Sequence, residues 1–239
     1  MAKLYVVGIG PGGREHMTLK ALEIIRKCDV LVGYTFYIEL IKDLAEGKKI
    51  IRTGMKGELE RCRRAVEEVK GGLDTCIIST GDPGLYGMAG PVLELTEGLE
   101  VEIVPGVTSA FCAAAESGAP IMHDFCTISL SDLLTPWGII EKRLHMAAGA
   151  DFVIALYNPK SKGRPENINR AVEILLEHAA PETPAALVKN AGREGNDRRI
   201  ATLGTIDYDF IDMMTVVIIG NSKTYVKDGR MITPRGYDL

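Results

Sequence analysis

A chain of 239 residues that is 46% hydrophobic and 25% charged holds enough apolar material for one large globular core or two smaller ones. Its formal net charge of -4 argues against a general nucleic-acid or anionic-membrane binder, and no apolar run reaches the roughly 18 residues that a bilayer-spanning helix needs. Five widely spaced cysteines, Cys28, Cys62, Cys76, Cys112 and Cys126, form no CxxC pair and no cysteine–histidine group of metal-site spacing; with no signal-peptide pattern, reduced buried thiols in a cytoplasmic protein without metal ligands of its own are expected.

The first apolar run, Lys3-Leu4-Tyr5-Val6-Val7, reads as a buried strand that empties into Gly8-Ile9-Gly10-Pro11-Gly12-Gly13. Gly8, Gly10 and Gly13 match the letters of the dinucleotide fingerprint, but that fingerprint needs a helix opening on the glycines and an acidic residue ending the second strand. Neither is met: the helix is expected to start with Thr18 as its cap, and Asp29 precedes the next strand, Val30 to Gly33. Tyr34 and Tyr37 mark an aromatic strand exit that serves as core or as pocket wall. Ile50-Ile51 suggests a short strand, and Leu59, Cys62, Val66 and Val69 suggest one face of an amphipathic helix stopped by Gly71-Gly72.

The organising stretch follows. Thr75-Cys76-Ile77-Ile78 drives into Ser79-Thr80-Gly81-Asp82-Pro83-Gly84-Leu85-Tyr86-Gly87-Met88-Ala89, a strand ending in a bare loop. Glycine removes the Cβ that would hold a ligand off the main chain, and in open α/β sheets ligands sit beyond the carboxyl ends of the strands. A helix from about Met88 to Thr96 leads to the strand Val101 to Val104, a second bare loop, Pro105-Gly106-Val107-Thr108-Ser109, and a helix rich in small residues. Ser117-Gly118-Ala119-Pro120 reads as the end of a first α/β domain, 1–118.

In the second domain, 119–239, the alternation restarts with Phe125 to Leu130, a helix near Ile139 to Met146, and the strand Phe152 to Leu156, ended by Tyr157-Asn158-Pro159. Pro165 opens a helix with Ile168, Val172, Leu175 and Ala179 inward. Strands are expected at Ala185 to Lys189, Arg199 to Leu203 and Thr215 to Gly220, and a hairpin at Asp228-Gly229.

Loops of this kind supply backbone hydrogen bonds and close approach, with little acid–base machinery, which suits a preformed reactive cofactor. The chain has no G-x-S-x-G elbow and no Walker loop. His123-Asp124 is the one adjacent base–carboxylate pair, and it is equally readable as local structure. His16 lies in the first loop; His145 and His178 fall in helical stretches and read as structural or solvated. Lys160, Lys162, Arg164, Arg193, Arg198 and Arg199 cluster in two expected loops, either a solvated rim or a site for an acidic small molecule.

The combination Gly8-Ile9-Gly10-Pro11-Gly12, Gly81-Asp82-Pro83 with Tyr86-Gly87, and Pro105-Gly106-Val107-Thr108-Ser109 resembles the tetrapyrrole methyltransferase family over the whole chain. Val32 to Tyr37, Thr53-Gly54-Met55, the run His123 to Trp137, and Ala155 to Pro159 look like the branch of that family acting at ring position 17 of a corrin precursor. The resemblance implies two α/β domains with S-adenosylmethionine in the cleft between them, a homodimer, and an acidic tetrapyrrole substrate, precorrin-3B or cobalt-factor III, methylated with contraction of the macrocycle. Carried onto this sequence, the cofactor positions are Gly10, Pro11, Gly81, Asp82, Pro83, Tyr86, Met88, Thr108, Ser109, Tyr157, Asn158, Asn190, Ala191 and Val217. For the contraction, His123, Asp124 and Asp132 are the candidate acid–base groups. The competing readings are a sibling acting on another corrin carbon, a nicotinamide-dependent oxidoreductase, and a tetrapyrrole carrier without turnover.

Overall fold

The apolar runs resolve into strands of two separate sheets, one in each of two units, Met1–Ser109 and Ala110–Leu239. The computed structural model describes residues 2–238. In the first unit the elements follow as β1 (Leu4–Gly8), α1 (Leu19–Lys27), β2 (Val30–Tyr34), α2 (Thr35–Glu39), β3 (Lys49–Thr53), α3 (Glu58–Lys70), β4 (Thr75–Ser79), α4 (Ala89–Leu95) and β5 (Val101–Val104). All five strands are parallel, in the order β3-β2-β4-β1-β5.

A parallel sheet covered on both faces favours near-continuous apolar runs, which is how the inner strands β2, β4 and β1 read, while the edge strands β3 and β5 carry Lys49, Arg52 and Glu102. Val7, Leu31, Cys76 and Ile78 face one core layer with Ala21 and Ile25 of α1, while Leu4, Val6, Val32 and Ile77 face the other with Cys62 and Ala65 of α3. The register sets Gly8 opposite Ser79 and Val7 opposite Val104. The loops after β1, β4 and β5 therefore leave the sheet side by side at its carboxyl edge.

Thr18 caps α1 as its sequence position predicts, its Oγ1 accepting from the Ala21 amide at 3.1 Å. Two local expectations are corrected. The aromatic strand exit is helical, α2, with the rings of Tyr34 and Tyr37 meeting edge-on at 5.2 Å. On α3 the buried stripe is Arg61, Cys62, Ala65 and Val69, and Leu59 is 54% exposed.

The second unit takes α5 (Ser109–Ser117), β6 (Gly118–Ala119), β7 (Phe125–Ser129), α6 (Trp137–Gly149), β8 (Val153–Tyr157), α7 (Asn167–Leu176), β9 (Pro184–Lys189), β10 (Asp197–Thr202), β11 (Thr215–Ile219), β12 (Tyr225–Lys227) and β13 (Arg230–Ile232). Its main sheet has the order β10-β9-β11-β8-β7, with only β7 and β8 parallel neighbours. The helices α6 and α7 cover one face through Ile140, Leu144, Ile168 and Leu175; α5 covers the other through Ala110, Ala113 and Ala114. The expected division after Gly118 thus lies at the far end of α5, whose small side chains let it lie close on the second sheet. Arg198, expected in a loop, and Arg199, expected both in that loop and at the start of a strand, are paired residues of β10, which begins at Asp197. The hairpin β12–β13 turns at Asp228 and Gly229, both with positive φ (51° and 69°), as a tight primed turn requires.

Candidate active site

At the carboxyl edge of the first sheet three loops interlock. The Ile9 amide donates to Ser79 O at 2.9 Å, and Gly10 and Gly81 exchange amide-to-carbonyl bonds of 3.3 and 2.8 Å. Asp82 spends both carboxylate oxygens on main chain: Oδ1 accepts from the Gly84 amide at 2.8 Å and Oδ2 from the Gly106 amide at 3.1 Å. This carboxylate therefore ties the loop after β4 to the loop after β5. Gly8 lies between them, where a Cβ would come within 2.7 Å of Gly81 O and 2.8 Å of both Gly106 N and Pro83 Cδ. Pro11 and Pro83 are buried in the same group of turns.

Two features mark this edge as more than a set of turns. Tyr86 holds φ = 54° while 52% exposed, a left-handed backbone that a bulky side chain adopts only under constraint. The same loops present main chain and short side chains at Gly10, Gly81, Gly84, Thr108 and Ser109, with Thr108 buried and Ser109 opening α5. Such a surface fits a polar, extended cofactor recognised through backbone groups.

Met88 does not share in it through its side chain. That side chain is buried in the core layer under α3, where its Sδ accepts from Arg61 Nη1 at 3.3 Å. Arg61 also donates from Nε to Thr53 Oγ1 (2.9 Å) and from Nη2 to Gly54 O (3.3 Å). Sequence reasoning missed this buried guanidinium, because an arginine in a charged helix normally reads as solvated.

In the second unit Leu156 and Leu187 both stand opposite Val217, and Ser129 stands opposite Tyr157, so β7, β8 and β9 end at one edge. Tyr157 Oη accepts the Ala110 amide at 2.9 Å and so satisfies a donor in the first turn of α5. Asn158 and Asn190 both have φ = 52°; the first donates to Ser129 Oγ at 2.9 Å, the second to Gly195 O at 3.2 Å. Ala191 is buried, and Glu116 accepts from the neighbouring Gly192 amide at 2.8 Å. Val217 is wholly buried in the middle of β11, its side chain within the core under α6 and α7.

Asp132 follows β7 at this same edge, 3.9 Å from Arg164 Nε; Arg164 also donates to Ser131 and, at 3.1 Å, to Ser161 Oγ. Lys160 donates to Tyr208 O at 2.8 Å, Arg198 to Glu116 O, and Arg199 pairs with Asp207 at 2.5 Å. The basic groups are thus largely engaged within the unit. His123 and Asp124 lie at the other end of β7, with the Asp124 amide donating to His123 Nδ1 at 2.9 Å, beside a polar hollow of about 210 Å³ that includes Asp151 and Lys223. Extended chain from Asp124 to Leu130 covers about 20 Å, which separates this pair from Asp132.

One expectation about histidine is corrected. His178 lies beyond the end of α7, and His145, Glu177 and His178 bring one ligand atom each to within 4.8 Å of one another. Residues so far apart in sequence carry no spacing signal, so only the packing of α6 on α7 reveals the group.

Residues 3–207 match the family described as Tetrapyrrole (Corrin/Porphyrin) Methylases. The "Probable cobalt-factor III C(17)-methyltransferase" of Salmonella typhimurium is 49% identical over 99% of this chain and 100% of its own length. The "Precorrin-3B C(17)-methyltransferase" of Sinorhizobium sp is 39% identical over 98% of this chain and 96% of its own. The crystal structure of the methyltransferase CobJ superposes with a TM-score of 0.94 at 35% identity, covering 98% of this chain and 100% of that one. With the family's pattern running from residue 3 to 207 and relatives aligned over nearly their full lengths, this chain belongs to the tetrapyrrole (corrin/porphyrin) methylases.

Proposed function

We propose that this protein is an S-adenosylmethionine-dependent C-methyltransferase acting at ring position 17 of cobalt-factor III, with coupled ring contraction, in cobalamin biosynthesis. The observation that carries the proposal is the 49% identity, over 99% of this chain and 100% of the relative, to a protein named "Probable cobalt-factor III C(17)-methyltransferase". The lower identity, 39%, to the precorrin-3B enzyme makes the metal-free macrocycle the second substrate to test. A homodimer in the cytoplasm is part of the same proposal.

When bound, the sulfonium cofactor supplies an activated methyl group for in-line displacement by an electron-rich ring carbon, so alignment and exclusion of water are what the chain must contribute. Gly10, Pro11, Gly81, Pro83, Tyr86, Thr108 and Ser109 are assigned to holding the cofactor through main chain and short side chains. Asp82 serves by fixing the two loops, since both its oxygens are taken by amides. The backbones of Tyr157, Asn158, Asn190 and Ala191 complete the assignment. Met88 and Val217 act only as support from the core, where their side chains lie.

For proton movement during contraction we retain Asp132, which shares an edge with Tyr157 and lies within ion-pair distance of Arg164. His123 and Asp124, at the opposite end of β7, are not assigned to that step. The experiment is mass spectrometry of the tetrapyrrole after anaerobic incubation with S-adenosylmethionine, offering cobalt-factor III and precorrin-3B separately. One added methyl on cobalt-factor III, located at C-17 by NMR, is expected. No gain on either, with cofactor bound, would reassign the protein to a sibling reaction on another corrin carbon.

A further inference from the structure

We propose that His145, Glu177 and His178 form a binding site for one zinc-type divalent transition-metal ion, which ties the end of α6 to the end of α7. The group is remote in sequence and in chemistry from every residue assigned above. His145 Nδ1 and His178 Nε2 face each other at 2.9 Å with their rings edge-on, and Glu177 Oε2 lies 3.9 Å from His145 Nδ1.

The donor set and its dimensions match such an ion. Two imidazoles and a carboxylate are ligands that zinc and its neighbours accept, with bonds of about 2.0–2.2 Å. In a tetrahedral arrangement bonds of that length hold ligand atoms about 3.3–3.5 Å apart. The observed 2.9 and 3.9 Å bracket this value, so small side-chain rotations suffice. Without an ion, two neutral rings facing each other through these nitrogens can be joined only if one carries its hydrogen there. Moving that hydrogen to the ring's other nitrogen presents two lone pairs to one point, with no change in net charge.

The mounting is rigid and electrostatically suited to a cation. Leu144 of α6 and Ile174 and Leu175 of α7, which flank the two histidines in sequence, share one core cluster, so the ligands rise from packed helices. His145 stands just before the last turn of α6, and the His178 amide donates to Leu175 O just past the end of α7. The His178 ring also lies against Gly149, the last residue of α6, with Nδ1 3.8 Å from where a Cβ on that glycine would stand, so the carboxyl ends of both helices, which carry partial negative charge, meet at the group. With side-chain exposures of 35% for His145 and 63% for Glu177, solvent reaches the group and water can complete the coordination.

The test uses tag-free full-length protein, stripped with a chelator and dialysed, then titrated with zinc chloride by calorimetry and with cobalt(II) chloride by visible absorption. We expect one equivalent of either metal per chain, a four- or five-coordinate cobalt spectrum, and a rise in Tm with zinc. H145A and H178A should each weaken binding at least about tenfold, and E177Q by less, as expected when a ligand is lost from a three-residue site. If an alanine form fails to fold, H145Q and H178Q preserve the side-chain volume and are read instead. H123A, which removes an exposed histidine beside the Asp124 carboxylate, should bind as the wild type does. Binding that survives both H145A and H178A, or that is abolished by H123A, overturns the proposal, as does wild-type protein that takes up neither metal.

Discussion

Replacing Gly8 by alanine probes the interlock at the carboxyl edge of the first sheet. The added Cβ would meet Gly81 O at 2.7 Å and Gly106 N and Pro83 Cδ at 2.8 Å, where ordinary contact begins near 3.4 Å. Two of these atoms are main chain and the third belongs to a proline ring, so none can swing aside; the loops after β4 and β5 must move outward by about 0.6 Å. Overpacking of this kind costs about 1–3 kcal/mol, and the rigidity of the neighbours puts Gly8→Ala at the upper end. Since the same loops are the proposed cofactor cradle, S-adenosylmethionine affinity should fall by at least about tenfold, because sub-ångström errors in a preorganised site are costly. Gly90→Ala is the matched control: it lies at an exposed position of α4 with nothing within 4 Å of the added methyl, and should stabilise by about 0.5–1 kcal/mol. Urea unfolding followed by circular dichroism, with calorimetric cofactor titration, reads both quantities. A Gly8→Ala protein with wild-type midpoint and wild-type affinity would refute the account of the interlock.

Asp82→Ala leaves the Gly84 and Gly106 amides without their acceptors and should destabilise by about 1–3 kcal/mol, with Asp82→Asn intermediate because its single oxygen serves one amide at a time; equal urea midpoints for all three proteins would contradict this. Hydrogen bonds from Lys20 and then Lys3 hold the Glu102 carboxyl below its usual range, and bonds to Glu100 and Glu102 hold the Lys3 ammonium above its own. A depressed carboxyl stabilises above its unfolded value of about 4.3 and loses that contribution as pH falls through the lower folded value, whereas a raised lysine loses its contribution only in strong alkali. Glu102→Gln should therefore flatten the acid side of the Tm profile measured from about pH 3 to 7 and leave the neutral shape unchanged. Parallel acid limbs for the two proteins would show that the cluster contributes nothing.

Much of the fold was legible because its signals are local. Thr18 announces a helix, continuous apolar runs such as Thr75 to Ile78 announce buried parallel strands, and Asp228-Gly229 announces a hairpin. Of the site, the glycines and their loops could be read, since bare strand ends have few other uses. What each side chain touches could not. Asp82 reads as a ligand-facing acid, yet it binds two amides separated by twenty-two residues of chain. Met88 and Val217 sit in motif positions, but strand and helix phase turn them into the core. His123 and Asp124 fall within ten residues of Asp132 in sequence, and the length of β7 parts the pair from it. Arg61 shows the reverse, a charged residue whose burial depends on acceptors at Thr53, Gly54 and Met88 that meet only in three dimensions.

The pairing of β13 with β6 sets an order for folding during synthesis. Every strand of the first sheet lies between residues 4 and 104, so that unit can complete itself while later residues are still being added. In the second unit Gly118 and Ala119 must wait for Met231 and Ile232, and the strand that bridges β8 and β9, β11, is also translated late. A nascent chain stopped between β10 and β11 would carry a finished first sheet beside a split second one, with the apolar edges of β8 and β9 unpaired. Chaperones and proteases acting on this protein would therefore meet the second unit, and the first would reach them already closed.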